Sequence, residues 1–430
     1  MMNKKINFEI QIPSCHYFKR LLFYVFIICT IIQSNFVFGQ TESKDITDVF
    51  RNKSKPKTQL KVPKYSMSIL PVVGYAPANG FLIGAAINAG FQLDSATTTR
   101  MSSFMFNVQL TTKNQTNFNA RSNIYTSNDD MILQGDCRFL IYTQTTYGLG
   151  IQNFPAALSL NENILTDDDG GQPMAYNYIR VYENAYKRIT GKLYGGIGLN
   201  LDLHNKIDDE LLSLDSATIF YTSHYLYSDT TNFDFKHYNT NGLSFNVLYD
   251  SRDNSINPYK DYYASFGVRQ NFDLGSNSQS STMLNAEFRT YISLSEVRPE
   301  HLIAFWLLGS YNISGTAPYL ALPSIGWDTY NRSGRGYIQG RFRGDDLQYQ
   351  EIEYRFPVSK NGLFSGVVFL NATTSNNRYI DQKLFEKFAF GYGAGLRLKM
   401  NKATRTNLCV DFGRGNMGGN AFYFGLQEAF

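Results

Sequence analysis

The sequence predicts an all-β fold, a transmembrane antiparallel β-barrel of about sixteen strands. Three observations carry that expectation. An export segment opens the chain, segments of about 10 to 14 residues then alternate apolar and polar side chains, and the connections between them alternate short and long.

The export segment comes first. Lys4, Lys5, Lys19 and Arg20 precede or flank the apolar run LLFYVFIICTII at 21–32, with Gly39 and Val37 placed for cleavage. This is the pattern of a secretory signal peptide over residues 1–39, because the run falls short of the roughly 20 apolar residues a spanning helix needs. The whole chain holds 40 Lys and Arg against 36 Asp and Glu; four of those bases and one acid lie in the export segment, so the mature chain from about Gln40 is close to neutral. That balance argues against a nucleic-acid partner. Cys15 and Cys29 leave with the signal peptide, and Cys137 and Cys409 are too few for a disulfide framework or a zinc site. Residues 40–65 are polar, lysine-rich and without strand periodicity, and read as a short disordered periplasmic leader.

From residue 66 to 430 one barrel domain follows. Strands are expected near 66–75, 80–93, 101–112, 118–127, 131–142, 174–189, 192–204, 241–252, 261–272, 281–294, 301–314, 347–358, 362–373, 388–400, 405–414 and 420–430. The alternation within them is regular. Phe104, Phe106, Val108 and Leu110 share one face opposite Ser103, Asn107 and Gln109; Leu193, Ile197, Leu199, Leu201 and Leu203 oppose Tyr194, Asn200, Asp202 and His204. One face suits lipid, with outer-membrane lipid as the implied surroundings, and the other suits a wet interior. A soluble sandwich or propeller also alternates, but it seldom uses such long strands. With both termini periplasmic, loops after odd strands are free to be long, and the longest connections, near 143–173, 205–240 and 315–346, all follow odd strands.

The sixth of these loops contains SGRGYIQGRFRGDD, residues 333–346, and the next strand begins at 347. On that strand Glu351, Glu353 and Arg355 fall on one face and Ile352, Tyr354 and Phe356 on the other, so the charges look inward if the aromatics meet lipid. Its GRGYIQG lacks the spacing and the following Lys of a phosphate-binding P-loop.

Gly334-Arg335-Gly336-Tyr337, followed by GRFRGDD and EIEYRFPV, resembles the (V/I)RG(F/Y) sixth-loop signature of the BamA/TamA-type outer-membrane assembly barrels, the bacterial surface antigen family. YAPANGFLIGA (75–85), YDSRDNSINPYKDYY (249–263), GYGAGLRL (391–398), DFGRG and the closing FYFGLQEAF fit the same family. The resemblance implies that the extracellular sixth loop folds back into the lumen, with Arg335 paired to the inner wall of the next two strands and Tyr337 wedging the loop there. Glu351 and Glu353 are the inner-wall partners it suggests. Where the family usually carries an Asp on strand thirteen, this chain has Asn371, so Glu353 is the preferred partner of Arg335. Family members of the assembly type also carry periplasmic POTRA domains, whereas the segment 40–65 has room only for a leader.

The resemblance further implies a weak seam between the first and last strands, at which Pro71, Phe424 and Phe430 are placed; Pro71 cannot donate a ladder hydrogen bond. The function it implies is assistance in the insertion, assembly or translocation of outer-membrane or surface proteins. The partners are then client outer-membrane proteins and separate periplasmic or outer-membrane assembly factors. The alternatives are a passive or substrate-specific pore and an accessory barrel subunit. No catalytic constellation is expected: His204, His224, His237 and His301 sit in no nucleophile motif, His204 with Asp202 reads as a solvated strand rim, and Asp167, Asp168 and Asp169 read as a hydrated loop rather than a cation site. No cofactor or metal is implied.

Overall fold

Sixteen strands form one antiparallel sheet in which each pairs with its neighbours in sequence. The structure, a computed structural model, describes residues 43–50, 65–76, 80–94, 99–151, 158–159, 170–275 and 277–430. The export segment and Asp167–Asp169 lie outside the described residues. The strands are β1 (Tyr65–Ala76), β2 (Gly80–Phe91), β3 (Ser102–Thr111), β4 (Thr116–Tyr125), β5 (Met131–Thr146), β6 (Gln172–Thr190), β7 (Leu193–Asp209) and β8 (Tyr238–Asp250), continuing as β9 (Asp261–Phe272), β10 (Ser281–Ser293), β11 (Leu302–Gly315), β12 (Asp346–Pro357), β13 (Phe364–Ser375), β14 (Ala389–Asn401), β15 (Thr406–Gly415) and β16 (Asn420–Gly425). This is the expected count, and the three long connections fall where the loop-length pattern put them.

The period-2 pattern explains the sheet's two faces. Ile197, Phe245, Ile292, Leu396 and Phe422 project outward and are exposed, as a lipid-facing band requires, while their strand neighbours turn polar groups into the lumen. The interior is nonetheless packed rather than empty. Trp306, Tyr337, Phe342, Tyr349 and Phe430 belong to one buried cluster inside the wall. Above it Tyr227, Phe233, Tyr238, Tyr319 and Leu322 form a second one under the long loops. In that dome helix α2 (Ser223–Thr230) is capped by Thr222, whose hydroxyl accepts from Tyr225 N–H, and Tyr227 donates to the Ala317 carbonyl at 2.8 Å.

Three details add to or depart from the expectations. Within the segment expected to be a leader, Ile46–Phe50 form helix α1, and residues 51–64 lie outside the described residues. Asp45 caps it by accepting from Thr47 and Asp48 N–H, and Lys402, in the turn after β14, pairs with Asp48 at 2.7 Å. His204 is not a solvated rim residue: β7 runs on to Asp209, which leaves the imidazole 3% exposed and stacked on Tyr178 at 4.4 Å. The last strand ends at Gly425 instead of residue 430, and the remaining five residues turn into the lumen.

Candidate functional site

The inner wall of β12 to β15 is a grid of aligned rows, because antiparallel pairing places inward residues opposite one another. Glu351 pairs with Asn371, Asn371 with Gly391 and Gly391 with Gly415; one step toward the short-turn end, Glu353, Phe369, Gly393 and Gly413 align, and then Arg355, Val367, Gly395 and Asp411. Charge is thus concentrated on β12 and at Asp411, with a glycine-floored trough on β14 and β15.

Loop six (residues 316–345) lies in that trough. Gly334 and Gly336 both have left-handed backbone, φ +83° and +107°, which lets the chain turn sharply on either side of Arg335. A Cβ on Gly391 would collide with the Arg335 carbonyl oxygen, and one on Gly413 would come within 2.8 Å of the Gly336 nitrogen. The bare wall is what permits backbone-to-backbone approach.

Arg335 is 2% exposed and meets three carboxylates. Its Nε donates to Glu351 Oε2 at 3.2 Å and its Nη1 to Asp411 Oδ2 at 2.9 Å, while Nη2 reaches both Glu351 Oε1 and Glu353 Oε1. The guanidinium plane sits 3.7 Å from the centroid of the Phe369 ring. Glu353 is therefore one of three partners rather than the preferred one. Asn371 plays a different part from an acceptor on the guanidinium: its amide donates to the Arg335 main-chain carbonyl at 2.8 Å. Tyr337 has its hydroxyl 2.7 Å from both the Phe390 carbonyl and Asn416 Oδ1, fastening the loop to the long-loop ends of β14 and β15. Tyr423 of β16 accepts from Gly336 N–H at 2.9 Å.

A second clamp holds the loop from the opposite wall. Arg138 on β5 donates to Asn331 Oδ1 and to the Asp328 and Thr329 carbonyls at 2.7, 3.0 and 3.1 Å. Asn123 on β4 reaches the Tyr330 hydroxyl at 3.1 Å, and Gln144 the Gln339 carbonyl at 2.8 Å. The loop therefore bridges the lumen from β12–β15 to β4–β5. Beneath it remains a chamber of about 300 Å³ lined by Arg180, Arg269, Arg289, Asn184, Asn246 and Trp327 among others.

Asp411, Arg397 and Arg138 are the site residues that motif reading passed over. A signal for them exists. Each stands on the lumen-facing parity of its strand, and a charge on that parity beside inward glycines marks a place where another segment must come to meet it.

At the seam, β1 and β16 are the two ends of the sheet order. Pro71 is exposed and pairs with Ala85 of β2, and Phe424 points outward. Phe430 is not at the seam: it is 4% exposed, with its ring 5.3 Å from Trp306 of β11, because the chain leaves the wall at Gly425.

The model of the Omp85 superfamily domain matches residues 82–430. No curated protein matches the sequence. Among solved structures, BamA from Haemophilus ducreyi lacking POTRA domains 1–3 is similar at 15% identity and a TM-score of 0.53, over 84% of this chain and 69% of that one. CdiB from Acinetobacter baumannii is also 15% identical, with a TM-score of 0.47 over 84% of this chain and 60% of that one.

Proposed function

The chain belongs to the Omp85 superfamily, and from that premise we propose that this outer-membrane barrel assists the insertion, assembly or translocation of other outer-membrane or surface proteins, without catalysing a reaction. The observation that carries the reading is the clamped sixth loop. A passive pore needs an open aqueous path, and here the loop is held from both sides of the lumen by Arg335 and Arg138. An assembly barrel needs a strand edge instead. The first and last strands, a 12-residue β1 and a 6-residue β16, meet at the seam where such an edge would open to an incoming client strand.

The test is the outer-membrane proteome after depletion of the protein, with transcripts measured alongside. Selective loss of other barrels or surface proteins at constant transcript levels supports the reading and identifies the clients. An unchanged proteome together with large, stable single-channel conductance of the purified barrel replaces it with the pore.

A further inference from the structure

Leu426, Gln427, Glu428, Ala429 and Phe430 follow β16, and all five are buried. They turn inward from β16, and the Phe430 ring meets Trp306 of β11 at 5.3 Å and Tyr291 of β10 at 6.3 Å. Three hydrogen bonds fix the path. Arg397 Nε donates to Glu428 Oε2 at 2.7 Å, Asn407 Nδ2 to Glu428 Oε1 at 2.8 Å, and Arg355 Nη2 to a carboxylate oxygen of Phe430 at 3.0 Å.

Side-chain parity favours this path over a longer strand. Gly425 pairs with Cys409, so continuing β16 in register would set Glu428 opposite Thr406 and on the outward side shared by Phe422 and Phe424. A carboxylate there would face lipid or its boundary, whereas in the lumen it has a guanidinium and an amide. The segment is therefore built as an internal strut.

Two of the three anchors of the strut, Arg397 and Arg355, share a carboxylate with the loop arginine. Arg397 holds Glu428 through Nε and Asp411 through Nη1, and Asp411 accepts from Arg335. Arg355 holds the Phe430 carboxylate and, at 2.6 Å, Glu353, which also accepts from Arg335. A third link is direct: Arg332 of the loop donates to the Gln427 carbonyl at 2.9 Å.

We propose that loop six and the segment Leu426–Phe430 form a single two-state unit, in which withdrawal of the loop and release of the strut occur together and Arg355 and Arg397 carry the coupling. The charge balance gives the direction. With Arg335 in place three arginines face Glu351, Glu353, Asp411, Glu428 and the Phe430 carboxylate; without it two arginines face the same five carboxylates. Glu428 and Phe430 lie on a segment free of the sheet ladder, so its departure relieves the excess. By linkage the converse holds: losing the Glu428 charge weakens the hold on Arg335 to the same degree. The consequence is that the foot of the seam changes shape only when the lumen unplugs.

Reciprocal thiol labelling tests this on the purified, folded full-length barrel with a charged maleimide, taking the parent chain's Cys137 and Cys409 as background. Arg335→Gln is expected to speed labelling of Ala429→Cys by about fivefold or more, and Glu428→Gln to speed labelling of Ser333→Cys by a similar factor. Loop labelling that rises while Ala429→Cys stays protected, or a strut that opens under Glu428→Gln with Ser333→Cys unchanged, overturns the proposal. If Arg335→Gln fails the heat-modifiability check for a folded barrel, the Glu428→Gln arm decides alone, since it leaves every Arg335 contact in place.

Discussion

Replacing Arg335 by Ala removes the one cation shared by three buried carboxylates, and the structure shows where the damage falls. Asp411 retains Arg397, and Glu353 retains Arg355 at 2.6 Å. Glu351 retains only neutral donors, the Tyr349 hydroxyl at 2.5 Å and the Asn371 amide at 3.4 Å. A buried carboxylate stripped of its cation costs about 3–5 kcal/mol, and loss of the guanidinium over Phe369 adds roughly 1 kcal/mol. We expect Arg335→Ala to destabilise the barrel by about 4 kcal/mol and the further change Glu351→Gln to restore roughly half of that, because it deletes the orphaned charge. Urea unfolding followed by tryptophan fluorescence suits the measurement: the chain has 2 tryptophans, and Trp306 on the wall and Trp327 in the loop both report on the lumen. A loss below about 1 kcal/mol, or a double variant no more stable than Arg335→Ala, would refute the assignment of Glu351 as the dependent partner.

Gly336→Ala is expected to loosen the loop by about 2 kcal/mol or more, since φ is +107° and the new Cβ would lie 2.8 Å from the Arg414 carbonyl; higher single-channel conductance is the readout. Burial alone would raise the Glu428 carboxyl, but Arg397 and Arg355, with the Asn407 amide, hold it at about 2. A depressed acid stabilises fully above its unfolded value of about 4.3 and loses that contribution as pH falls through about 2. Trp306 fluorescence should accordingly stay flat from about pH 8 to pH 5, and a transition near neutrality would contradict the strut's ion pair. Asn371→Asp restores the residue usual in the resembled family yet should destabilise by about 1–3 kcal/mol in urea unfolding, because a carboxylate would replace the donor to the Arg335 carbonyl and crowd Glu351. Adding Glu351→Gln should recover that loss.

The barrel was legible because period-2 alternation and the odd-even rhythm of loop lengths are local properties, and a lipid boundary leaves them no freedom. Arg335 and its β12 carboxylates were legible for the same reason: Glu351 and Glu353 stand on the inward parity beside a loop rich in glycine. Asp411 was not, because nothing in sequence says that β15 faces the same loop as β12; the meander must close far enough to bring them together. The inward turn after Gly425 was hidden by FYFGLQEAF itself, whose apolar ends continue the strand pattern. Only the parity of Glu428 contradicts it.

The distribution of charge bears on what the plug is for. A loop meant only to narrow a pore could be fastened at one point, as a tether. This one is held by arginines of two kinds: Arg335, which it carries to the β12–β15 wall, and Arg138, which the β4–β5 wall extends to three of its polar oxygens. Buried ion pairs stabilise little beyond a well-packed apolar alternative, but breaking one is expensive. Such a clamp is thus a poor way to gain stability and a good way to make two states distinct. Because Arg397 and Arg355 each hold both a carboxylate partner of Arg335 and the segment after β16, the boundary between those states runs from the loop through the lumen to the residues that follow the last strand.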